Sequence, residues 1–536
     1  MTEQGSGPDT DLSFDPRDPY FPVPGCEVRF AVQVFTSVDG YGLDPASTTA
    51  GADGSVRCTR FALLGQQRVA GAGEVDVALA RGGDALVWSI SVRHEEPVKA
   101  VKLLLGGLPR DGWWAPNTGR EPLGGRFQIE YPGPQWATPW AASGRISLSV
   151  RDPSVRRKTL HVDQPPYADG PVVELVHRPA AAERTPTCHV PPVRLRETGP
   201  EADPEVGTGI DLDEHLAFTE GAHGLVPWES RTDVPGWLRE TALVVTLHGQ
   251  HWTGHVFNTF PRMAEALRFV ARHIEPRRVL VYLPGWEGRY YYEYPRYEPG
   301  ADLGGPAGFR ALVQEAHELG FRLMPMFGGN GANAAQYPRW RWAALRNETD
   351  RYVELLNRPD WDGDRTGEGD QVFLNPGEPG FRAHLRESIS AVVRNFGVDA
   401  AFLDTAGYWV DDPRHDLLDG YRRLAAELRE RHPGLLLAAE GWWDALSAVF
   451  PLSQQWLGVD RDLRAPRVLT RYARTTGHLA EGTPGPGSTG VHERGFLSRP
   501  PDVAREGHLP VVGFVEDTLS EHADEVVAVC RWARSR

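Results

Sequence analysis

The sequence predicts a (β/α)8 barrel preceded by a β-sandwich, and three observations carry that reading. From Thr241 onward, apolar strand-like runs alternate with helix-period segments over some 295 residues. Between Glu27 and Arg178 the runs are short, β-like and punctuated by Gly, Pro and Asp. The chain of 536 residues is 40% hydrophobic and 24% charged, a globular composition long enough for more than one domain.

Taken in order, residues 1–20 are polar and rich in Asp, Pro and Gly, and read as a flexible arm. Residues 21–178 form the expected sandwich. Its strands are Glu27–Phe35, Ser55–Leu63, Glu74–Ala80, Ala85–Arg93, Ala100–Leu105, Gly125–Tyr131, Arg145–Val150 and Pro171–Val176. Residues 179–240, rich in Pro, Glu and Gly with little periodicity, read as a connector. The barrel spans 241–536. Strand one, Ala242–Leu247, precedes the helix Phe260–His273, and strand two, Arg278–Leu283, precedes Pro306–Leu319. Strand three, Phe321–Phe327, opens a long loop insertion at 328–371, and loops of that length are usually functional. The helix Pro379–Phe396 leads to strand four, Asp399–Asp404, and the helix Leu417–Arg431 to strand five, Gly434–Glu440. Pro510–Glu516 and the helix Glu521–Ala533 close the barrel. Strands six and seven fall between Phe450 and Gly495, with Gln455–Val459 and His478–Glu481 as the candidates.

Composition excludes several classes of function. The net charge is −15, and no basic run exceeds Arg156-Arg157-Lys158, which argues against a nucleic-acid surface. Lys99, Lys102 and Lys158 are the only lysines among 57 basic residues. The four cysteines are scattered, with no Cys-x-x-Cys pair, so neither a disulfide framework nor a zinc site is expected. No apolar stretch suits a signal sequence or a membrane span, and a cytoplasmic protein without membrane partner is the expectation.

Barrel active sites are built at the C-terminal ends of strands. Strand four ends in Asp404 and strand five in Glu440, one βα unit apart. On adjacent strands their carboxyls would converge over the barrel mouth, and a retaining glycosidase needs two carboxyls about 5–5.5 Å apart. A single strand-end carboxylate would as readily cap a helix or pair with arginine; two on successive strands, flanked by aromatics, point to catalysis. The aromatics come from several strand ends: Trp286, Tyr290 and Tyr292 after strand two, Tyr408 and Trp409 after strand four, Trp442 and Trp443 after strand five. Their faces and hydroxyls suit a sugar, so they are candidate substrate-binding residues. His248, His251 and Trp252 after strand one, Asn330 after strand three, and Glu516 and Asp517 after strand eight complete that set.

The segment Val372-Phe373-Leu374-Asn375-Pro376-Gly377-Glu378-Pro379, its helix, and Gly397-Val398-Asp399-Ala400-Ala401-Phe402-Leu403-Asp404 resemble a pattern of (β/α)8 glycoside hydrolases, including the α-amylase and α-galactosidase superfamilies. The resemblance runs from Val372 to Trp443. It implies that Asp404 is the nucleophile, that Glu440 is the acid/base, as on strand five of α-amylases, and that Asp399 is structural. Departures are visible: Phe402 stands where α-amylases carry arginine, and no strand-six aspartate of the α-galactosidase kind is evident. The chain thus resembles a divergent retaining glycosidase acting on an α-linked oligo- or polysaccharide.

Two alternatives stand beside it. One is a carbohydrate-binding barrel without turnover. The other is a metal-dependent hydrolase built on His248, His251 and His255. Asp360-Trp361-Asp362-Gly363-Asp364 begins like a calcium loop, but Arg365 stands at the glycine position and Gln371 at the glutamate position. No metal or cofactor is therefore expected, and the oligomeric state is left open.

Overall fold

The computed structural model describes residues 20–65, 69–108, 113, 126–133, 138–143, 146–163, 170–197, 204–251, 254–289, 292–333, 336–351, 371–454, 467–479, 499–505 and 507–536. The chain divides into two compact units, 1–132 with 138–222, and 133–137 with 223–536.

Among the described residues the first unit holds a nine-stranded and a seven-stranded sheet, their paired strands antiparallel. In-out alternation is plain in Lys158–Asp163, whose residues are alternately buried and half-buried. Phe30 of the larger sheet and Trp88 of the smaller, both fully buried, meet edge-on at 6.2 Å. The expected strand Ser55–Leu63 is two strands. Val56–Cys58 belongs to the smaller sheet and Phe61–Leu63 to the larger. The crossing is pinned at Arg60, whose Nη2 donates to Asp44 Oδ2 at 2.6 Å.

The connector expected at 179–240 is also corrected. It contains the eleven-residue strand Thr187–Glu197, paired with both Ala85–Arg93 and Ile146–Val150 in the middle of the smaller sheet, and the helix Pro204–His223. Pro191 and Pro192 hid the strand, because proline cannot donate to a ladder. The sheet accommodates them at a register shift between Val190 and Val193. A buried ionic cluster lies in this unit. Lys158 Nζ, 2% exposed, sits 3.0 Å from Asp152 Oδ2, donates to the carbonyls of Ser154 and Arg156, and lies 4.7 Å over the Tyr131 ring.

The second unit is a closed parallel barrel of eight strands. They are β1 (Leu243–Leu247), β2 (Val279–Leu283), β3 (Arg322–Gly328), β4 (Ala400–Asp404), β5 (Leu436–Glu440), β6 (Leu452–Gln454), β7 (Arg474–His478) and β8 (His508–Phe514). Both strands that the sequence left vague lie inside the expected window. β6 ends where the candidate Gln455–Val459 begins, and that candidate lies outside the described residues; β7 ends at His478, where the other candidate starts. The main helices are α1 (Phe260–Ala271), α2 (Gly305–Leu319), α3 (Pro379–Phe396), α4 (Leu417–Arg431) and α5 (Ala523–Arg534).

Local chemistry sets the bounds of the helices beside the site. Glu378 caps α3 by accepting the Phe381 N–H at 2.8 Å, Pro379 starts it, and Gly397, at φ +79°, ends it. Asp416 caps α4 by accepting the Asp419 N–H at 2.6 Å. Asp399, just before β4, accepts from Leu323 N, Arg322 Nη1 and His317 Nε2, tying β4 to β3 and α2. That is a structural role, at the end of β4 opposite to Asp404.

Candidate active site

β4 and β5 run parallel in register, Leu403 opposite Ala439, which puts Asp404 and Glu440 side by side at the C-terminal ends. Side chains two apart on a strand share a face. Phe402 packs on Tyr282 at 4.7 Å inside the barrel, so Asp404 points the same way. The arginine position of α-amylases is thus filled by an apolar ring of the barrel interior.

Asp404 is 5% exposed, and its carboxyl lies near enough to that of Glu440 for the two to interact directly. Glu440 Oε2 also accepts the Thr405 N–H at 2.9 Å, and its main-chain oxygen accepts Gly407 N–H at 2.7 Å. Burial pushes the Asp404 carboxyl well above the usual range, and the adjacent Glu440 and then Glu287 add to the rise. Two carboxyls that interact in this way titrate as a pair. The pair can therefore present one acid and one nucleophile or base to the same bond.

Reading strand ends alone missed a third carboxyl. Glu287 is 4% exposed, and neither carboxyl oxygen has a hydrogen-bond partner. Burial raises its pKa to about 8, with a further push from Glu293. Two buried phenols complete the group. Tyr297 donates to Gly328 O at 3.1 Å and accepts from Gly328 N at 3.0 Å. Burial raises both Tyr297 and Tyr421; the carboxyls of Glu287 and Asp404 push Tyr297 further, and that of Asp404 pushes Tyr421. Glu287 also lines a cavity of about 950 Å³ with Gln250, Arg289, Glu293, Arg296 and His384. Its one sequence signal was position, four residues past β2 in an aromatic loop.

The other predicted residues divide sharply. Asn330 joins the group: it is fully buried, its Oδ1 accepts from Thr405 Oγ1, and its Nδ2 has no partner. Trp286, Trp442 and Trp443 are corrected from sugar platforms to core. Trp286 is fully buried, stacked on Phe309 at 5.0 Å, and its Nε1 donates to Met326 O. Trp442 packs with Leu469 and Ala473, and Trp443 Nε1 donates to Gly407 O at 3.2 Å. Trp409 is 8% exposed, so it too offers little face. Sequence cannot tell which way a loop aromatic points, and these large apolar surfaces point inward. Tyr408 is half-buried, stacked on Phe373 at 5.0 Å, and Tyr292 lies beneath the Arg289 guanidinium at 4.0 Å.

His248, His251 and His255 each meet the edge or face of Phe257, at 5.8, 5.8 and 4.9 Å. His255 Nε2 lies 3.1 Å from Glu516 Oε1, and Asp517 precedes the short helix Thr518–Glu521 without capping it through its side chain. Among the described residues, no three His, Cys, Asp or Glu side chains are grouped to hold a metal. Trp252, Tyr290 and the calcium-like stretch from Asp360 lie outside the described residues. No helix among the described residues is long and apolar enough to cross a membrane.

By sequence the chain matches no protein-family model and no curated protein. Its fold matches solved structures of the α-N-acetylgalactosaminidase NagBb from Bifidobacterium bifidum. The GalNAc complex is 15% identical with a TM-score of 0.66, covering 96% of this chain and 89% of that one. The Gal-NHAc-DNJ complex is 14% identical with a TM-score of 0.66, covering 95% and 88%. The ligand-free form is 14% identical with a TM-score of 0.64, covering 96% and 90%. At such identity the likeness is one of fold: a parallel eight-stranded barrel with antiparallel sheets before it.

Proposed function

We propose that the chain is a retaining glycoside hydrolase of α-linked sugars, with Asp404 as nucleophile and Glu440 as acid/base. The observation that carries this reading is the pair of interacting carboxyls, Asp404 and Glu440, at the C-terminal ends of adjacent, in-register barrel strands. A sugar entering between the carboxyls would spread them toward the spacing of about 5–5.5 Å that a retaining reaction uses. Asp404 then attacks the anomeric carbon as Glu440 gives its proton to the leaving oxygen. The glycosyl group rests on Asp404 as an ester. Glu440 next takes a proton from water, whose oxygen displaces Asp404 and restores the starting configuration.

The substrate class we favour is a terminal α-N-acetylgalactosaminide or α-galactoside. The named activity of the fold neighbours supports it, as do three buried polar side chains beside the pair. Glu287 and Asn330 Nδ2 lack partners inside the protein, and buried polar groups left unsatisfied are costly. Sugar hydroxyls or an acetamido group would satisfy them, and Tyr421 Oη, also unpartnered, lies in the same group.

Aryl α- and β-glycosides of galactose, N-acetylgalactosamine, glucose and N-acetylglucosamine test the reading, with NMR of the first-formed anomer. Hydrolysis of an α-glycoside with α product first, abolished in Asp404→Asn, is the expected result. A folded protein that cleaves no glycoside, or an Asp404→Asn variant at full rate, would overturn it.

A further inference from the structure

We propose a further substrate class for the same site: α-glycosides of amino sugars whose nitrogen is free and cationic, with Glu287 as the counter-ion that selects them. The inference rests on the glycosidase reading and adds to it the charge of the sugar. Glu287 is 4% exposed, and neither Oε1 nor Oε2 has a hydrogen-bond partner. A carboxyl so deeply buried is normally paired or hydrogen-bonded. The side chains that act on it are of its own sign. Glu293 pushes up Glu287, while Glu287 and Glu440 push up Asp404. Tyr297 is raised by both Glu287 and Asp404, so the third carboxyl shares one buried field with the pair.

The protein supplies no cation to this group. The chain has no lysine after Lys158. Among the described residues no arginine is found among the groups that shift Glu287 or Asp404. The arginines of the neighbouring cavity wall are engaged otherwise. Arg289 lies over the Tyr292 ring at 4.0 Å, Arg296 pairs with Glu293 at 3.0 Å, and Arg310 donates to Asn395 O. His384, also on that wall, lies 2.8 Å from Pro295 O.

A sugar hydroxyl brings one hydrogen and no charge. An ammonium group brings three N–H donors, no acceptor and a positive charge, which suits the open oxygens of Glu287 and makes the hydrogen bonds charge-assisted. Asn330 Nδ2 and Tyr421 Oη remain for the oxygens of the sugar. Docking the cation takes the proton off Glu287: its O–H bond breaks, the proton passes to solvent, and carboxylate faces ammonium. The ion pair also serves the reaction. An ammonium on the ring opposes the positive charge that builds at the anomeric carbon, and an anionic Glu287 beside it offsets that repulsion. A neutral sugar makes no such demand, so losing the Glu287 charge falls hardest on the cationic one.

The test uses the full chain and aryl α-glycosides of galactosamine and glucosamine with free amines, beside the galactoside and glucoside that carry a hydroxyl instead. The readout is the ratio of kcat/KM, amine over hydroxyl, at pH 6. Wild type should cleave an amino glycoside, and Glu287→Gln should lower the ratio by about tenfold or more. The wild-type ratio should also fall as pH rises through the titration of the amine, a readout that needs no variant. A wild type that cleaves the neutral glycosides alone, or a ratio indifferent to both Glu287→Gln and pH, overturns the proposal. Binding is measured apart from turnover, by calorimetric titration of the methyl α-glycosides of both amino sugars at pH 6 in two buffers of different ionisation enthalpy. We expect release of about one proton per site, lost in Glu287→Gln. No binding, or the same release in that variant, overturns the proposal. A wild type that cleaves no glycoside yet binds the amino sugar with that release defeats the retaining reading and leaves the cation site standing.

Discussion

At the residue scale, the roles of the two strand-end carboxyls are separable by chemical rescue. Asp404→Ala should abolish turnover on every substrate. Glu440→Ala should still react with substrates that have good leaving groups, then stall for want of a base. Azide needs no base, so it should rescue Glu440→Ala and give a glycosyl azide of retained configuration. With Asp404→Ala any azide product should be inverted, and opposite configurations would exchange the roles. Glu287 gives a second prediction. Folded, it keeps its proton to about pH 8; unfolded, it releases it near 4.5. The folded protein thus binds more protons between those values, and stability falls as pH rises through that window, by up to about 1.4 kcal/mol per pH unit. Denaturant midpoints from pH 5 to 8 should show the decline, and Glu287→Gln should lessen it. An identical slope in that variant would mean Glu287 is ionised in the fold.

At the element scale, two glycines should behave oppositely. Gly397 ends α3 at φ +79° with open space where a Cβ would stand, so Gly397→Ala costs conformation only, about 1 kcal/mol, and spares activity. A Cβ on Gly407 would meet Glu440 O and Gly441 Cα at 2.7 Å, so Gly407→Ala should displace β5 from β4 and cut kcat far more than stability. Thermal melts beside kcat measurements check both; equal effects would refute the distinction. The same elements explain what the sequence could tell. β1 to β5 are apolar runs, and α3 and α4 announce themselves by their caps Glu378 and Asp416, so these units are legible without a fold in hand. β6 has three residues, and β7 is Arg-Thr-Thr-Gly-His, with Gln454, Thr476 and His478 lining a small interior space. An apolarity criterion fails where the barrel interior is polar. Asp404 and Glu440 were readable because they end apolar strands. Glu287 was not, since burial without a partner exists only once the chain is folded.

At the scale of the whole molecule, the two units differ in what acid does to them. His177, in the first unit, is 4% exposed, and neither ring nitrogen has a partner. Burial, then the nearby Arg156, lower its pKa to about 3, against 6.5 when unfolded. The unfolded chain binds more protons between those values, so the first unit loses stability as pH falls below about 6.5. Asp152, held near 2 against burial by Lys158 and Arg156, adds to the loss below 3.8. Calorimetry from pH 7 to 4 should show a transition moving to lower temperature, and His177→Gln should flatten its early part. A transition unmoved across that range would count against the buried neutral imidazole.

The ion pair of Lys158 with Asp152 has a practical consequence. A protease that cuts only after lysine has three sites in the chain, and residues 159–536 contain none. Lys158 is 2% exposed, so its bond is shielded until the strands around it part. Cleavage there is therefore a clock for the opening of the first unit, and it leaves the barrel in one piece. Its rate, read from a gel against denaturant, would report how often that unit opens while the barrel unit stays uncut.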